Sequence, residues 1–239
     1  MARAFNLLGR HREALDALTE IKKAKRYRSK VKHRLRVDFE IAKAESGLGN
    51  HQAAATIFSR IIPLFESLSL PATAVEAMYG SATNFMAMGN DLDAELLLAK
   101  CLERSGDAKL PSLVLDASLL LGGIYVIRSQ WDSALQVYEP LVSDPTNQFS
   151  VWFPYVMQQL ALAYMAVGRS EDALASALVV IASKVDPDLN KGDSWFVRSE
   201  LALVAGDRAA AGRYGRKALK AYLLAGETAR SAELAAKYL

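Results

Sequence analysis

The densest cluster of charged side chains lies between residues 22 and 36, in the segment KKAKRYRSKVKHRLR. It holds nine of the 29 Lys and Arg residues and no acid, which leaves 20 basic against 26 acidic residues elsewhere. Such a block could bind an acidic protein or the phosphates of a nucleic acid, or it could be a solvated helix face. Tyr27 is its one aromatic residue, which argues against a stacking surface for single strands. The predicted basic patch consists of Lys22, Lys23, Lys25, Arg26, Arg28, Lys30, Lys32, Arg34 and Arg36.

Residues that could do catalytic or metal chemistry are sparse. His11 and His51 each stand two residues after a glycine and could touch one ligand together, but no cysteine or carboxylate stands at metal-ligand spacing, which favours a structural role. Cys101 is the only cysteine, and we predict an inert core residue. Walker-type, G-x-S-x-G and H-E-x-x-H motifs are absent from the sequence. We therefore predict a protein that is not an enzyme and that uses no cofactor or metal.

A repeat organises these residues. Turn residues recur at Gly9, Gly49, Gly89, Ser129, Gly168 and Gly206, with spacings of 40, 40, 40, 39 and 38. Glycine tolerates the positive φ of a helix C-terminal turn, so Ser129 should be the more strained turn. These six residues are called the markers below.

Other residue types keep a fixed distance from the markers. An alanine stands five residues after each marker: Ala14, Ala54, Ala94, Ala134, Ala173 and Ala211. A small residue stands seven before: Ala2, Ala42, Ala82, Gly122, Ala161 and Ser199. Mostly bulky residues stand four before, among them Phe5, Phe85, Tyr125 and Tyr164. Small residues facing each other let two helices pack closely, and the bulky residues fill the adjacent space.

This order resembles the tetratricopeptide repeat family, most strongly at Ala161, Tyr164, Gly168, Ala173 and Asp186-Pro187. The family's usual period is 34 residues, and the period here, about 40, is similar to that of MalT-like bacterial regulators. Armadillo and HEAT repeats have comparable periods but lack this residue order.

The fold class that follows is all-α: a right-handed solenoid of about six helical hairpins plus a last helix, in one domain spanning 1–239. The units are 1–28, 29–69, 70–109, 110–146, 147–188 and 189–226, and the last helix lies in 227–239. The predicted helices are Met1–Leu8, Arg12–Arg26, Ser29–Leu48, Gln52–Leu68, Pro71–Met88, Leu92–Arg104, Pro111–Arg128, Trp131–Val142, Phe149–Val167, Glu171–Lys184, Ser194–Ala205, Arg208–Ala225 and Thr228–Leu239.

The resemblance implies that the first helix of each hairpin lines a concave groove. The residues ten before each marker should form a ladder on its wall, and those six before should lie beside them. Repeated aromatic and apolar side chains there suit a peptide or helix, although some could pack between repeats. The family's carboxylate clamp for a chaperone tail is missing, since no asparagine accompanies the basic residues. The predicted groove residues are Phe39, Lys43, Tyr79, Thr83, Leu119, Gln158 and Phe196.

Composition predicts a soluble cytoplasmic protein. One cysteine suits a reducing compartment, no signal sequence is seen, and the most apolar run, Ala117–Ile127, is too short to span a bilayer. We predict a non-catalytic scaffold or adaptor that holds a protein or peptide in its groove, with no membrane partner. The first alternative is the sensor module of a larger transcription regulator; the second is a polyanion contact through 22–36. The ends in mid-repeat favour a piece of something larger, and assembly into a complex is open.

Overall fold

The computed structural model describes residues 1–23, 30–108, 110–143, 147–148, 150–183 and 188–238. Those residues contain thirteen α-helices and no strand. The helices are α1 Ala2–Leu7, α2 His11–Lys23, α3 Val31–Gly47, α4 His51–Ser67, α5 Pro71–Ala87, α6 Asp91–Ala108, α7 Pro111–Ile127, α8 Trp131–Val142, α9 Phe153–Ala166, α10 Ser170–Ala182, α11 Asp188–Val204, α12 Arg208–Ala225 and α13 Thr228–Tyr238.

All six markers adopt the predicted left-handed conformation, with φ between 56° at Ser129 and 81° at Gly49 and Gly168. After each marker, the next backbone N–H donates to the carbonyl five residues earlier, as in Arg169 to Tyr164 at 2.8 Å. This is the hydrogen bond of the Schellman motif, which satisfies a carbonyl at the helix end. Ser129 carries a Cβ into a region that costs a non-glycine residue about 1 kcal/mol, as expected for the one marker that is not glycine.

The small columns lie at helix contacts, as predicted. Every alanine of the column five after the markers is fully buried, with 0% of its surface exposed. The column seven before the markers is buried too, and Ala2 at 7% is its most exposed alanine. Alanine at these points lets the two helices of a hairpin approach without a cavity, since there is no longer side chain to accommodate.

Two compact units divide the chain, Met1–Leu121 and Gly122–Leu239, and their boundary falls inside α7. In the first unit consecutive helices pack together from α1 to α6, and the first helices of successive hairpins, α1, α3 and α5, also contact one another. Its aromatic core joins Phe39 to Phe58 and Phe65, with ring centroids 5.8 and 6.1 Å apart in edge-on geometry.

In the second unit consecutive helices pack from α8 to α13, and α9 also contacts α11. Tyr138, Leu160 and Val197 are almost wholly buried. The pairing of first helices in both units is the layering of a helical-hairpin solenoid. The all-α class is thus confirmed, while the single domain with its six unit boundaries stays a prediction.

Three core rings lie against glycine. A Cβ built at Gly80 would lie 2.7 Å from the Phe58 ring, one at Gly122 2.3 Å from the Tyr138 ring, and one at Gly192 2.6 Å from the Tyr222 ring. Real Cβ atoms do not approach that closely, so a methyl group at any of these glycines would have to displace a buried ring. Each glycine therefore makes room for an aromatic side chain on the neighbouring helix.

Candidate partner-binding groove

A cavity of about 760 Å³ lies within the first unit, along the first helices of its hairpins. The side chains that line it come mainly from α1, α3, α5 and the start of α7, as the resemblance implied for a groove wall. Its lining residues are Arg3, Leu7, His11, Phe39, Lys43, Ser46, Gly47, Phe58, Glu76, Tyr79, Gly80, Leu110, Ser112, Leu113 and Asp116. An adjoining cavity of about 270 Å³ shares several of these residues and adds Arg36, Glu40 and Thr73.

The structure brings three of the predicted groove residues together here: Phe39, Lys43 and Tyr79. The Lys43 ammonium lies 5.7 Å from the centroid of the Phe39 ring. Burial raises the pKa of the Tyr79 phenol, and the negative charge of Asp116 adds to the rise. Thr83 does not line the cavity; its hydroxyl donates to the Gly80 carbonyl one turn earlier, at 2.9 Å.

Phe39 is a ladder residue for which the sequence left two roles open, lining the groove or packing between repeats. Only 8% of its surface is exposed, because the Phe58 and Phe65 rings of α4 pack against it edge-on. Phe39 forms part of the floor of the groove and of the core beneath it.

The rest of the predicted ladder is Gln158 and Phe196 in the second unit and Leu119 in the first. Gln158 is 2% exposed, and its amide donates to a carboxylate oxygen of Asp193 at 2.7 Å, so of the two alternatives for the ladder it follows packing between helices. Phe196 is half-buried and lines a cavity of about 210 Å³ with Leu162 and Arg230. Leu119 is half-buried in the first unit, outside the lining of its cavities.

Asp193 is the centre of a buried polar network in that unit. Its carboxylate, 6% exposed, accepts hydrogen bonds from the Tyr222 hydroxyl at 2.6 Å, the Arg230 guanidinium at 2.5 Å and Gln158. Burial raises the pKa of Asp193 above its usual range, although Tyr222 and Arg230 act in the opposite direction. The network joins α9, α11, α12 and α13 through one side chain.

Sequence reasoning predicted Lys43 in the groove but assigned Arg36 to the basic patch and missed the carboxylates of the cavities. Arg36, Glu76 and Asp116 line the cavities of the first unit, and Asp193 lines the cavity of the second. All four stand thirteen residues before a marker, one helical turn from the ladder that was predicted. That fixed spacing was the available signal, since residues three apart share a helix face.

The basic patch is only partly described. Lys25, Arg26 and Arg28 lie outside the described residues. Lys22 forms an ion pair with Asp38 at 2.9 Å, and Lys23 forms one with Glu20 at 2.6 Å. Lys23 is exposed, and so are Lys30, Lys32, Arg34 and Arg36 at the beginning of α3.

The histidines and the cysteine have structural surroundings. His51 Nδ1 lies 2.9 Å from Asn84 Oδ1, and His11 Nδ1 lies 3.4 Å from Asn6 Oδ1. Cys101 is fully buried, and burial raises the pKa of its thiol to about 11. No group of His, Cys, Asp and Glu in the described residues could hold a metal ion. Nor does the described part contain a helix that is long and apolar enough to cross a membrane.

Solved structures similar to this chain are repeat proteins. The C-terminal part of a TPR repeat-containing protein from Cytophaga hutchinsonii has a TM-score of 0.65 and 16% identity, over 94% of this chain and 79% of that one. The quorum sensor NprR from B. thuringiensis has a TM-score of 0.62 and 14% identity, over 93% of this chain and 62% of that one. MamA has a TM-score of 0.59 and 15% identity, over 78% of this chain and 97% of that one. No protein-family model and no curated protein sequence matches. Structural likeness at such low identity shows the fold, and the chain has the tetratricopeptide-like fold of stacked helical hairpins.

Proposed function

We propose that this chain is a non-catalytic scaffold or adaptor whose partner, a protein or peptide segment, lies in the groove of the first unit. The observation that carries the proposal is the cavity of about 760 Å³ along α1, α3, α5 and α7. Ligand-binding cavities fall in this range of volume, and a row of helices with apolar residues at the bottom suits an extended or helical segment. The single buried cysteine supports a cytoplasmic location.

The first alternative is the sensor module of a larger transcription regulator. The similarity of fold to the quorum sensor NprR supports this alternative. So does the repeat spacing of about 40 residues, which is similar to that of MalT-like regulators. The full-length gene would decide, because an ATPase upstream or a helix-turn-helix downstream would identify a regulator.

Two adjacent leucines allow a sharp test of the groove. Leu7 and Leu8 are 72% and 70% exposed, yet only Leu7 lines the cavity. We expect peptides selected on the wild-type chain from a random display library to bind Leu7→Gln about fivefold more weakly, because covering a leucine side chain is worth ~1 kcal/mol or more. Fluorescence anisotropy with labelled peptides gives the affinities.

Leu8→Gln is the control, with the same chemical change at nearly the same exposure. It should bind the selected peptides as the wild type does. Equal affinities for all three chains, or an equal loss in both variants, would place the bound peptides elsewhere. Selection of no peptide at all would count against a groove that binds peptides.

A second candidate function is a polyanion contact through the basic patch. Lys30, Lys32 and Arg34 are exposed at the start of α3 and form no ion pair in the described part of the chain. Lys30 is the N-cap residue of α3, and Lys32 and Arg34 lie within its first four residues, where cations interact unfavourably with the helix dipole. A bound anion would offset that unfavourable interaction. We expect Lys30→Gln, Lys32→Gln and Arg34→Gln together to abolish salt-sensitive binding of DNA, RNA or an acidic peptide.

The assay compares the triple variant with the wild type at two salt concentrations. Arg208→Gln, Arg213→Gln and Arg216→Gln together are the control, since these exposed residues of α12 lie outside the basic patch and the variant also removes three positive charges. If the wild type binds none of the three probes at low salt, the polyanion function is wrong.

A further inference from the structure

The charged residues of the first unit's groove are separated by helix. Arg3 of α1 and Arg36 and Lys43 of α3 contribute three cations on one side, and Glu40 of α3 contributes one carboxylate. Glu76 of α5 and Asp116 of α7 contribute two carboxylates and no cation. The α1–α3 wall therefore carries two net positive charges and the α5–α7 wall two net negative charges.

These charges are available to a ligand. Arg3, Arg36, Glu76 and Asp116 are exposed. In the described part of the chain none of them forms an ion pair, either with a neighbour or across the groove. Glu40, the exception on the basic wall, already accepts a hydrogen bond from the Asn6 amide at 2.9 Å. Unmatched opposite charges on two walls produce a field across the space between them, and that field orients a charged ligand.

Between the charged residues, the larger side chains that line the cavity are apolar or aromatic. Phe58 is 2% exposed and Phe39 8%, and Tyr79 and Leu113 are half-buried beside them. An apolar side chain of a ligand would therefore lie between a cationic and an anionic wall. A ligand with a single sign of charge would satisfy one wall and be repelled by the other, and repulsion of this kind is what gives an interface its specificity.

We infer that the groove recognises a peptide segment of mixed charge, in which acidic and basic residues flank an apolar or aromatic centre. The acidic end lies along α1 and α3, and the basic end lies along α5 and α7. This inference rests on the proposed function, because it specifies the partner of the same groove. It excludes the uniformly acidic and uniformly basic segments that a groove of one sign would select.

Five capped peptides test the inference. All share a central Leu-Trp-Leu. Two peptides have mixed flanks, with two glutamates before the centre and two lysines after it, or the reverse. The other three have two glutamates, two lysines or two glutamines on both sides of the centre. The two mixed orders cover both chain directions. We expect the better mixed peptide to bind the wild type about tenfold more tightly than either uniformly charged peptide at low salt. The advantage should shrink at 1 M salt, where the Debye length falls to ~3 Å.

Reversing one wall should switch the preference. Arg3→Glu with Arg36→Glu makes both walls anionic, so the lysine-flanked peptide should become the tightest ligand. Glu76→Lys with Asp116→Lys makes both walls cationic, so the glutamate-flanked peptide should become the tightest. Arg12→Glu and Glu103→Lys are the controls, since both residues are exposed and lie outside the lining of the cavities. Neither control should change the order of affinities.

The outcomes separate this inference from the function on which it rests. If the charged peptides bind the wild type within twofold of one another, or if reversal of a wall leaves their order unchanged, the mixed-charge partner is wrong. Sensitivity of the same peptides to Leu7→Gln would then still support a peptide-binding groove. If no designed peptide binds while display selection yields peptides sensitive to Leu7→Gln, the inference alone is overturned. If display selection also yields no such peptide, both the inference and the proposed function are overturned.

Discussion

Phe39→Ala should lower the free energy of unfolding of the first unit by about 3–5 kcal/mol, the usual cost of truncating a buried phenylalanine. The ring is 8% exposed and contacts both Phe58 and Phe65. Its removal would leave a cavity between α3 and α4 that the two rings cannot fill without leaving their edge-on contacts. Chemical denaturation followed by circular dichroism, with hydrogen exchange in α3 and α4, measures the loss.

Leu7→Ala provides the comparison, because Leu7 lines the same cavity at 72% exposure. It should change stability by less than about 0.5 kcal/mol. A Phe39→Ala protein as stable as wild type would show that the ring is dispensable for packing, and Phe39 would then be a free binding residue as the sequence suggested.

Asp193→Ala is the second large effect expected, about 3–5 kcal/mol in the second unit. The substitution leaves the Tyr222 hydroxyl and the Gln158 amide buried without their acceptor, and each such group costs about 1–3 kcal/mol. The Arg230 side chain is 48% exposed, so water can solvate most of its charge. Thermal melting gives the total loss, and hydrogen exchange shows whether α9, α12 and α13 lose protection together.

Arg230→Gln is the control for the Asp193 network. It removes the half-exposed partner, while Tyr222 and Gln158 keep their hydrogen bonds to the Asp193 carboxylate. The loss of unfolding free energy should therefore be less than half of that for Asp193→Ala. Equal losses in the two variants would mean that the ion pair, and not the buried hydrogen bonds, holds these helices together.

The turns and the small columns could be predicted from the sequence because both are local. A positive φ selects glycine wherever a helix must end, and close helix packing selects alanine at a fixed offset. Helix ends were less predictable: α9 begins at Phe153, not Phe149, and α11 at Asp188, not Ser194. Gly226 forms the same kind of turn with φ 77°, but it lies only 20 residues after Gly206, so a search for a 40-residue spacing missed it.

Burial in the ladder could not be predicted, because it depends on the helix opposite. Phe39 is covered by two rings that α4 happens to supply, whereas Tyr79 in the next repeat is only half-buried. Gln158 is buried because Asp193, 35 residues away, accepts its hydrogen bond. Such partners are set by tertiary packing, and only the shared distance from the markers connects them in the sequence.

The glycines that face the core rings affect how the sequence can change while the fold is kept. Nine residues after the markers stand Leu18, Phe58, Leu98, Tyr138, Ala177 and Gly215, all buried although their sizes run from tyrosine to glycine. Taken one position at a time, such a column carries little information. The information resides in pairs, since Phe58 requires Gly80 and Tyr138 requires Gly122. A larger residue fits at such a glycine only once the facing ring has become smaller, so two descendants of one ancestor could diverge to unrecognisable sequences while their helices stay stacked in the same way.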